Sequence, residues 1–144
     1  MTPQDLALAS TQAMWDSDTA TQYLDMTMSG VKPGGATMAM TVRPEMTNGH
    51  KTCHGGFIFT LADSAFAFAC NTYNQRTVAQ MASVSFLAPA FVGDTLTATA
   101  TELFKQGRSG IYDVQVTNQN GDKIAEFRGH SRTVKGTHVP EISE

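Results

Sequence analysis

The sequence predicts an α+β fold in which one long central helix is wrapped by a curled antiparallel β-sheet. The run from Gly55 to about Tyr73 is apolar in almost every direction of a helix, so this helix must be buried on nearly all sides. Segments before and after it alternate apolar and polar residues with the period of a strand. Their connections are short, which favours antiparallel pairing. One flat sheet would leave half of the helix bare, so we expect the sheet to curl around it, a second subunit to cover it, or both.

Length and composition indicate one domain that spans residues 1–144. The chain has 144 residues, of which 41% are hydrophobic and 16% are charged, and a domain of this size can bury its own core. Its net charge of −3 gives no basic surplus, so we expect no nucleic-acid partner. Its two cysteines, Cys53 and Cys70, are too few for a disulfide scaffold, and the sequence assigns a role to neither.

No segment has the pattern of a secretion signal or a membrane anchor. Residues 1–16 contain no Lys or Arg and no long apolar run. The most apolar stretch, residues 55–70, is shorter than the roughly 20 residues that cross a bilayer, and it contains Asp63. We therefore expect a cytoplasmic protein that does not bind membranes.

The first half of the chain predicts two short helices and a strand. The start Thr-Pro-Gln-Asp, residues 2–5, predicts an N-terminal helix over about residues 3–15. Ser17-Asp18 predicts a second cap before a short helical turn. Residues 33–35 form a Pro-Gly-Gly turn, and residues 36–43 alternate as a strand with one buried face. We expect one or two such strands before the long helix.

The second half predicts four more strands and a loose tail over about residues 136–144. The Asn-Gln-Asn-Gly-Asp run at residues 118–122 is a strong hairpin signal. Because the connections are short, we expect the four strands to form a meander. The four segments are residues 78–87, 95–104, 112–116 and 124–134.

The start of the long helix is the first candidate for chemistry. Free backbone N–H groups at a helix start bind anions, and glycine lets a ligand approach them closely. Gly55-Gly56 therefore fits an oxyanion-binding site, although a plain turn at a helix start has the same sequence. The second candidate is Asp63, because a carboxylate within an apolar helix needs a partner, a raised pKa or a function. A hydrogen bond to backbone or to Ser64 would also satisfy it.

The spacing of these two residues has a structural consequence. Gly55 and Asp63 are eight residues apart, which is about 12 Å along one helix. One carbonyl carbon cannot lie within reach of both. If they act on one substrate, Gly55 must come from one subunit and Asp63 from another, with two antiparallel helices across a two-fold axis.

Three neighbouring residues have both a functional and a structural interpretation. His54 could bond the substrate or cap the helix. Asn48 could position the loop or the attacking water, or form an ordinary Asn-Gly turn. Ser64 could hold a water beside Asp63, or bond the preceding helical turn.

Other chemistries fit the sequence less well. The set His50, Cys53, His54 and Asp63 matches no usual zinc spacing, so we expect no metal site. A Cys53–His54 nucleophile has no third group to orient it. No Gly-x-Ser-x-Gly elbow occurs, and the Gly-Arg-Ser-Gly run at residues 107–110 is too short for a phosphate loop.

At these residues the sequence resembles the hotdog-fold acyl-CoA thioesterases. The helix motif His54-Gly55-Gly56-x-x-x-x-Leu61-Ala62-Asp63-Ser64 resembles the signature of that superfamily. Four other segments resemble its phenylacetic-acid-degradation (PaaI-type) branch, and the likeness runs from about Trp15 to Val134. These segments are Asn48-Gly49-His50, Phe86-Leu87-x-Pro89-x-x-x-Gly93-Asp94-Thr95-Leu96, Gly110-Ile111-Tyr112-Asp113 and Phe127-Arg128-Gly129.

The resemblance implies a hotdog fold, a homodimer with composite sites and a further pairing of dimers. It implies that the Gly55 N–H polarises a thioester carbonyl and that Asp63 of the partner subunit acts as general base or as nucleophile. Asn48 and His54 would shape the site around the carbonyl. Ser64 stands where the family often has Thr, which keeps the hydroxyl that helps to place the water. No metal or bound cofactor is implied.

The implied substrate is an acyl-CoA with an aryl or medium-chain acyl group, such as phenylacetyl-CoA or a ring-modified relative. A hotdog hydratase or dehydratase, and a CoA-ester-binding module without catalysis, are the alternatives. Candidates for the substrate-binding wall are Gly56, Phe57, Leu61, Phe66, Met46 and Met81, although apolar residues such as these more often belong simply to the core. Candidates for holding the CoA phosphates are Lys105, Arg108, Arg128 and Arg132.

Overall fold

The computed structural model describes residues 1–140 and contains three helices, one 3₁₀ turn and six strands in that range. The helices are α1 (Pro3–Ser17), α2 (Thr19–Tyr23) and α3 (Gly55–Cys70), and the 3₁₀ turn is Pro44–Met46. The strands are β1 (Thr27–Lys32), β2 (Gly35–Thr41), β3 (Thr77–Phe86), β4 (Thr95–Gln106), β5 (Ser109–Thr117) and β6 (Lys123–Thr133).

One antiparallel sheet wraps α3. The strand order is β1-β2-β4-β5-β6-β3, and every neighbouring pair is antiparallel. Helix α3 packs against β2, β3, β4, β5 and β6, so the sheet curls around it. The predicted architecture, a long central helix in a curled antiparallel sheet, is confirmed.

The place of β3 differs from the predicted meander. Strands β4, β5 and β6 do follow one another in the sheet, but β3 pairs with β6 at the far edge, and β2 takes the place beside β4. The β3–β4 connection does not make a hairpin. It crosses the N-terminal end of α3, where the Cys53 N–H donates to Ala90 O at 2.8 Å and the Gly93 N–H donates to Val42 O at 2.9 Å.

The end of α3 and the C-terminal tail differ from what the sequence suggests. Helix α3 ends at Cys70, three residues before the expected end, and Asn71 caps it. The expected loose tail is held as far as Val139, because Asn74 accepts hydrogen bonds from the backbone N–H groups of His138 and Val139 and donates one to Val139 O. The rest of that expectation, residues 141–144, lies outside the described residues. No helix within residues 1–140 is long and apolar enough to cross a membrane.

An aromatic cluster locks α3 to the sheet. The Phe66 ring lies 5.7 Å from that of Tyr112 and 5.9 Å from that of Phe127, measured between centroids. Gly129 lies beneath it, since a Cβ added there would stand 2.6 Å from two atoms of the Phe66 ring. Phe66 is fully buried, so the ring has no room to move away.

We expect Gly129→Ala to lower the free energy of unfolding by about 1–3 kcal/mol, the usual cost of overpacking a tight core. Urea denaturation measures it. The matched control is Gly49→Ala, where an added Cβ meets nothing within 4 Å. Equal denaturation midpoints for the two variants would show that the packing around Phe66 is looser than described.

Candidate active site

The N-terminus of α3 presents one free backbone donor. His54 is the N-cap, and its Nδ1 accepts a hydrogen bond from the Gly56 N–H at 2.9 Å. The Gly55 N–H has no hydrogen-bond partner among residues 1–140. An unpaired N–H at the positive end of a helix attracts a partly negative oxygen. The capping interpretation of His54 therefore describes its contact here, and Gly55 remains the donor open to a ligand.

Asn48 organises the loop that leads into the helix. Its Oδ1 accepts hydrogen bonds from the His50 N–H at 2.9 Å, the Thr52 N–H at 3.3 Å and the Thr52 hydroxyl at 3.2 Å. Lys51 between them has a φ of 63°, a left-handed conformation that is uncommon for a residue with a side chain. Of the three interpretations considered for Asn48, these contacts show loop positioning and also the Asn-Gly turn, in which the Lys51 N–H donates to Asn48 O at 3.0 Å.

A cleft of about 530 Å³ opens beside the Gly55 backbone. It lies between the start of α3 and the loop that follows β3, so one wall comes from each. The Phe86 ring is the nearest side chain to Gly55, because a Cβ added to Gly55 would stand 2.9 Å from Phe86 Cζ. The lining residues are Thr52, Cys53, Gly55, Ile58, Phe86, Leu87, Ala88 and Pro89.

Asp63 lies on a face of α3 that the sheet leaves open. Thr60, Asp63, Ser64 and Ala67 share this face at helical spacing and are half-buried; we call them the open stripe. The Asp63 carboxylate has no hydrogen bond or ion pair within the described chain. Burial raises the pKa of Asp63 above its ordinary value. A carboxylate without a local partner is available to accept a proton from a bound molecule.

The Gly55 N–H and the Asp63 carboxylate are thus both free to bind a ligand, but they lie two turns apart on one helix. Two further surfaces of the protomer are open near them. The open stripe is uncovered, and β3 is an edge strand with no partner beyond it within residues 1–140. A bare edge strand of ten residues readily pairs with another chain. The geometry of one subunit alone therefore does not bring the two groups together.

The expected substrate-binding residues separate into two groups. Leu61, Phe66 and Met46 are fully buried in the core, so the structure does not place them on the cleft. The all-round apolar pattern of α3 could not distinguish core from pocket. Gly56 is exposed at the helix start, while Phe57 is half-buried and packs against the core. Met81 is exposed on β3, on the opposite face from the core-packed Ala82 and Val84.

The four cationic candidates also lie away from the cleft of their own chain. Arg128 is held by Asp113, whose carboxylate accepts from Nε at 2.6 Å and from Nη2 at 2.9 Å. The Lys105 Nζ lies 4.7 Å from the centre of the Tyr73 ring, near the opposite end of α3. Arg108 and Arg132 are exposed.

Most of the residues that line the cleft were not predicted from the sequence. Thr52, Ile58, Ala88 and Leu87 reach the cleft only because the β3–β4 connection crosses the helix start. One signal was available. Phe86, Leu87, Phe91 and Val92 are too apolar for an ordinary solvated loop, and all four are about half exposed.

The side chains of the alternative metal and thiol chemistries are arranged as follows. No group of three metal-ligating side chains occurs within residues 1–140. Burial raises the pKa of the Cys53 thiol to about 11 and that of Cys70 to about 12. Both thiols are therefore protonated at neutral pH, which weighs against a cysteine nucleophile.

We expect His54→Ala to lower the stability of the protein by about 1 kcal/mol, because the helix loses its cap acceptor. The catalytic effect should be smaller than that of removing the Gly55 N–H. His54→Asn keeps a side-chain acceptor and should restore most of the stability in a thermal melt. If Asn restored none of it, the role of His54 would not be capping.

Comparisons with known proteins identify the family of this chain. A model of the thioesterase superfamily matches residues 50–125. The acyl-coenzyme A thioesterase PaaI of Escherichia coli is 41% identical over 94% of this chain and 96% of its own length. The solved structure of the E. coli PaaI protein from the phenylacetic acid degradation operon superposes with a TM-score of 0.93, at 40% identity, over 94% of this chain and 99% of that one.

A second relative supports the same assignment at greater distance. A mutant structure of the phenylacetic acid degradation protein PaaI of Thermus thermophilus has a TM-score of 0.78 and 33% identity, over 81% of this chain and all of that one. The fold, the helix motif and these matches together show that the chain belongs to the thioesterase superfamily, in the PaaI-type branch of the hotdog-fold acyl-CoA thioesterases.

Proposed function

We propose that this enzyme hydrolyses aryl- or medium-chain acyl-CoA, with phenylacetyl-CoA or a ring-modified relative as its substrate, to the free acid and CoA. The single observation that carries the mechanism is the pair of unsatisfied groups on α3. These groups are the free N–H of Gly55 and the unpartnered, half-buried carboxylate of Asp63. The names of the relatives, which refer to acyl-CoA and to phenylacetic acid degradation, support the substrate class.

The oxyanion half of the site comes from Gly55. A thioester carbonyl oxygen placed in the cleft accepts a hydrogen bond from the Gly55 N–H at the positive end of α3. This donor stabilises the negative charge that develops on the oxygen as the carbonyl carbon becomes tetrahedral. The His54 cap and the loop held by Asn48 support the start of the helix that carries this donor.

The group that activates the water or attacks the carbonyl is Asp63 of the partner subunit. As a general base, its carboxylate takes one proton from a water while the water oxygen bonds to the carbonyl carbon. The C–S bond then breaks, and the departing CoA sulfur takes the proton that Asp63 has accepted from the water, which returns Asp63 to the carboxylate. As a nucleophile, the carboxylate would itself bond to the carbonyl carbon and expel the thiolate, and water would then hydrolyse the anhydride. In either route Ser64, which also lies on the open stripe, helps to place the water.

The partner subunit is proposed from the surfaces that one protomer leaves open. Two copies that pack antiparallel through their open stripes would bring Gly55 of one against Asp63 of the other. Pairing of two β3 edges would continue the sheet across the dimer. We propose a homodimer with two composite sites, and a dimer of dimers as the complete particle, in the cytoplasm.

The remaining binding roles follow from the chemistry of CoA. A thioester has a good leaving group, so hydrolysis needs no metal and no bound cofactor beyond the substrate. The CoA phosphates need cations, and Lys105, Arg108 and Arg132 are the candidates whose side chains have no ion pair among residues 1–140. Arg128 is a weaker candidate because Asp113 already holds it.

Free-thiol release from a panel of acyl-CoA esters tests the proposed function. The panel holds phenylacetyl-CoA, a hydroxylated phenylacetyl-CoA, benzoyl-CoA and straight-chain esters. We expect release of CoA with the aryl and medium-chain esters ranked first. Binding of these esters without release of CoA would instead identify a CoA-ester-binding module.

A further inference from the structure

Phe86 occupies a special position in the cleft. It is the last residue of β3, and three atoms of its ring would lie within 3.4 Å of a Cβ on Gly55, the nearest at 2.9 Å. The ring therefore lies against the one backbone position that carries the free N–H. Glycine at residue 55 makes this approach possible, since any side chain there would displace the ring.

The Phe86 ring is also free to contact a ligand. It is 54% exposed, and within residues 1–140 it stacks on no other aromatic ring. Its other neighbours on the cleft include the apolar side chains of Ile58, Leu87 and Pro89. An aromatic ring that exposes one face to an apolar cleft is typical of a residue that contacts a bound ligand.

The acyl group is the part of an acyl-CoA that fits such a wall. The pantetheine arm carries two amides and the nucleotide carries phosphates, whereas the acyl group is apolar next to its carbonyl. The Phe86 ring lies against Gly55, so a thioester oxygen that accepts from the Gly55 N–H lies in the same part of the cleft as this ring. The first atoms of the acyl group then meet that ring.

We propose that Phe86 is the residue that determines acyl-group specificity in this enzyme. Its flat ring packs well against an aryl group, because two aromatic rings prefer offset or edge-to-face contact. The same ring limits the space beside Gly55, so a long straight chain must push it aside. The proposal rests on the proposed thioesterase function and assigns its substrate selectivity to one side chain.

The test compares Phe86→Ala and Phe86→Leu with Phe91→Ala. Phe91 is the matched control, because it is the same residue type in the connection that follows β3, is 51% exposed and does not line the cleft. For each variant, kcat/KM is measured on phenylacetyl-CoA and on octanoyl-CoA. The ratio of these two values is the specificity of the enzyme.

We expect Phe86→Ala to lower this ratio by roughly tenfold or more, as a lost contact in an apolar pocket usually does. Phe86→Leu should give a smaller decrease, and Phe91→Ala should leave the ratio unchanged. The same change should appear with N-acetylcysteamine thioesters of the two acids, which lack the nucleotide and most of the pantetheine arm. An unchanged ratio in both Phe86 variants, with turnover retained, would overturn the proposal. Thiol release by the wild-type protein distinguishes the two failures. If only the role of Phe86 is wrong, the wild-type protein still releases CoA; if the proposed function is wrong, it does not.

Discussion

Replacing Asp63 with Asn is expected to lower kcat by at least about 10²–10⁴-fold, the usual contribution of a positioned base. The amide keeps the size of the side chain but cannot take a proton. The protein should fold normally, because Asp63 makes no hydrogen bond or ion pair within the described chain. Thiol release measures the activity, and Asp16→Asn, on the exposed surface of α1, is the control.

The pKa of Asp63 gives this prediction a second readout. Burial raises that pKa above its unfolded value, so the protonated acid is favoured in the folded state. The stability that this preference contributes is present at low pH and is lost as the pH rises through the folded pKa. Removing the charge with Asn should therefore not destabilise the protein at neutral pH.

Activity needs the carboxylate form, so the acid limb of the pH–rate profile should lie above the ordinary range of an aspartate. Loss of stability at neutral pH in Asp63→Asn, or near-normal turnover, would contradict the role given to this residue. If the acid limb of the wild-type pH–rate profile gave the ordinary pKa of an aspartate, the burial of the Asp63 carboxylate would be contradicted.

Replacing Gly55 with Pro should be the second severe change, with a loss in kcat of about 10²–10³-fold, the cost of removing one oxyanion donor. Proline lacks the N–H but suits the first position of a helix. His54 before it already has extended backbone angles, φ −62° and ψ 135°, which proline accepts. Gly55→Pro thus deletes the donor and keeps the helix.

Gly55→Ala is the matched control for this change. It keeps the N–H and introduces the same contact with the Phe86 ring, which is half exposed and free to turn. We expect the alanine variant to lose far less activity than the proline variant, while circular dichroism reports the same helix content for both. Equal losses would show that the space beside Phe86, rather than the N–H, limits the reaction.

The sequence was sufficient to locate the long helix and to single out Gly55 and Asp63 on it as candidates for chemistry. The all-round apolar run identified α3, and the two glycines located its start to the residue, because these signals are local. The unusual position of Asp63 also followed from local pattern. In the structure Asp63 is half-buried, on the part of the helix that the curled sheet leaves uncovered.

Features that depend on distant contacts could not be predicted in this way. Alternation identified β3 as a strand, but it contains no information on whether β4 or β6 is its partner. The same limit explains why Leu61 and Phe66 were expected at the pocket although the sheet buries them. The walls of the cleft, above all Phe86, depend on a connection that crosses the helix start.

The most direct test of the account is a dimer made from two inactive subunits. Gly55→Pro and Asp63→Asn chains carry different affinity tags, are co-expressed, and the mixed dimer is purified through both tags. If each site takes Gly55 from one subunit and Asp63 from the other, one site of the mixed dimer contains both substitutions. The other site contains an intact Gly55 and an intact Asp63. We predict that the mixed dimer recovers about half of the wild-type activity per dimer, while each parent stays inactive. A mixed dimer as inactive as its parents would show that Gly55 and Asp63 do not meet across two subunits.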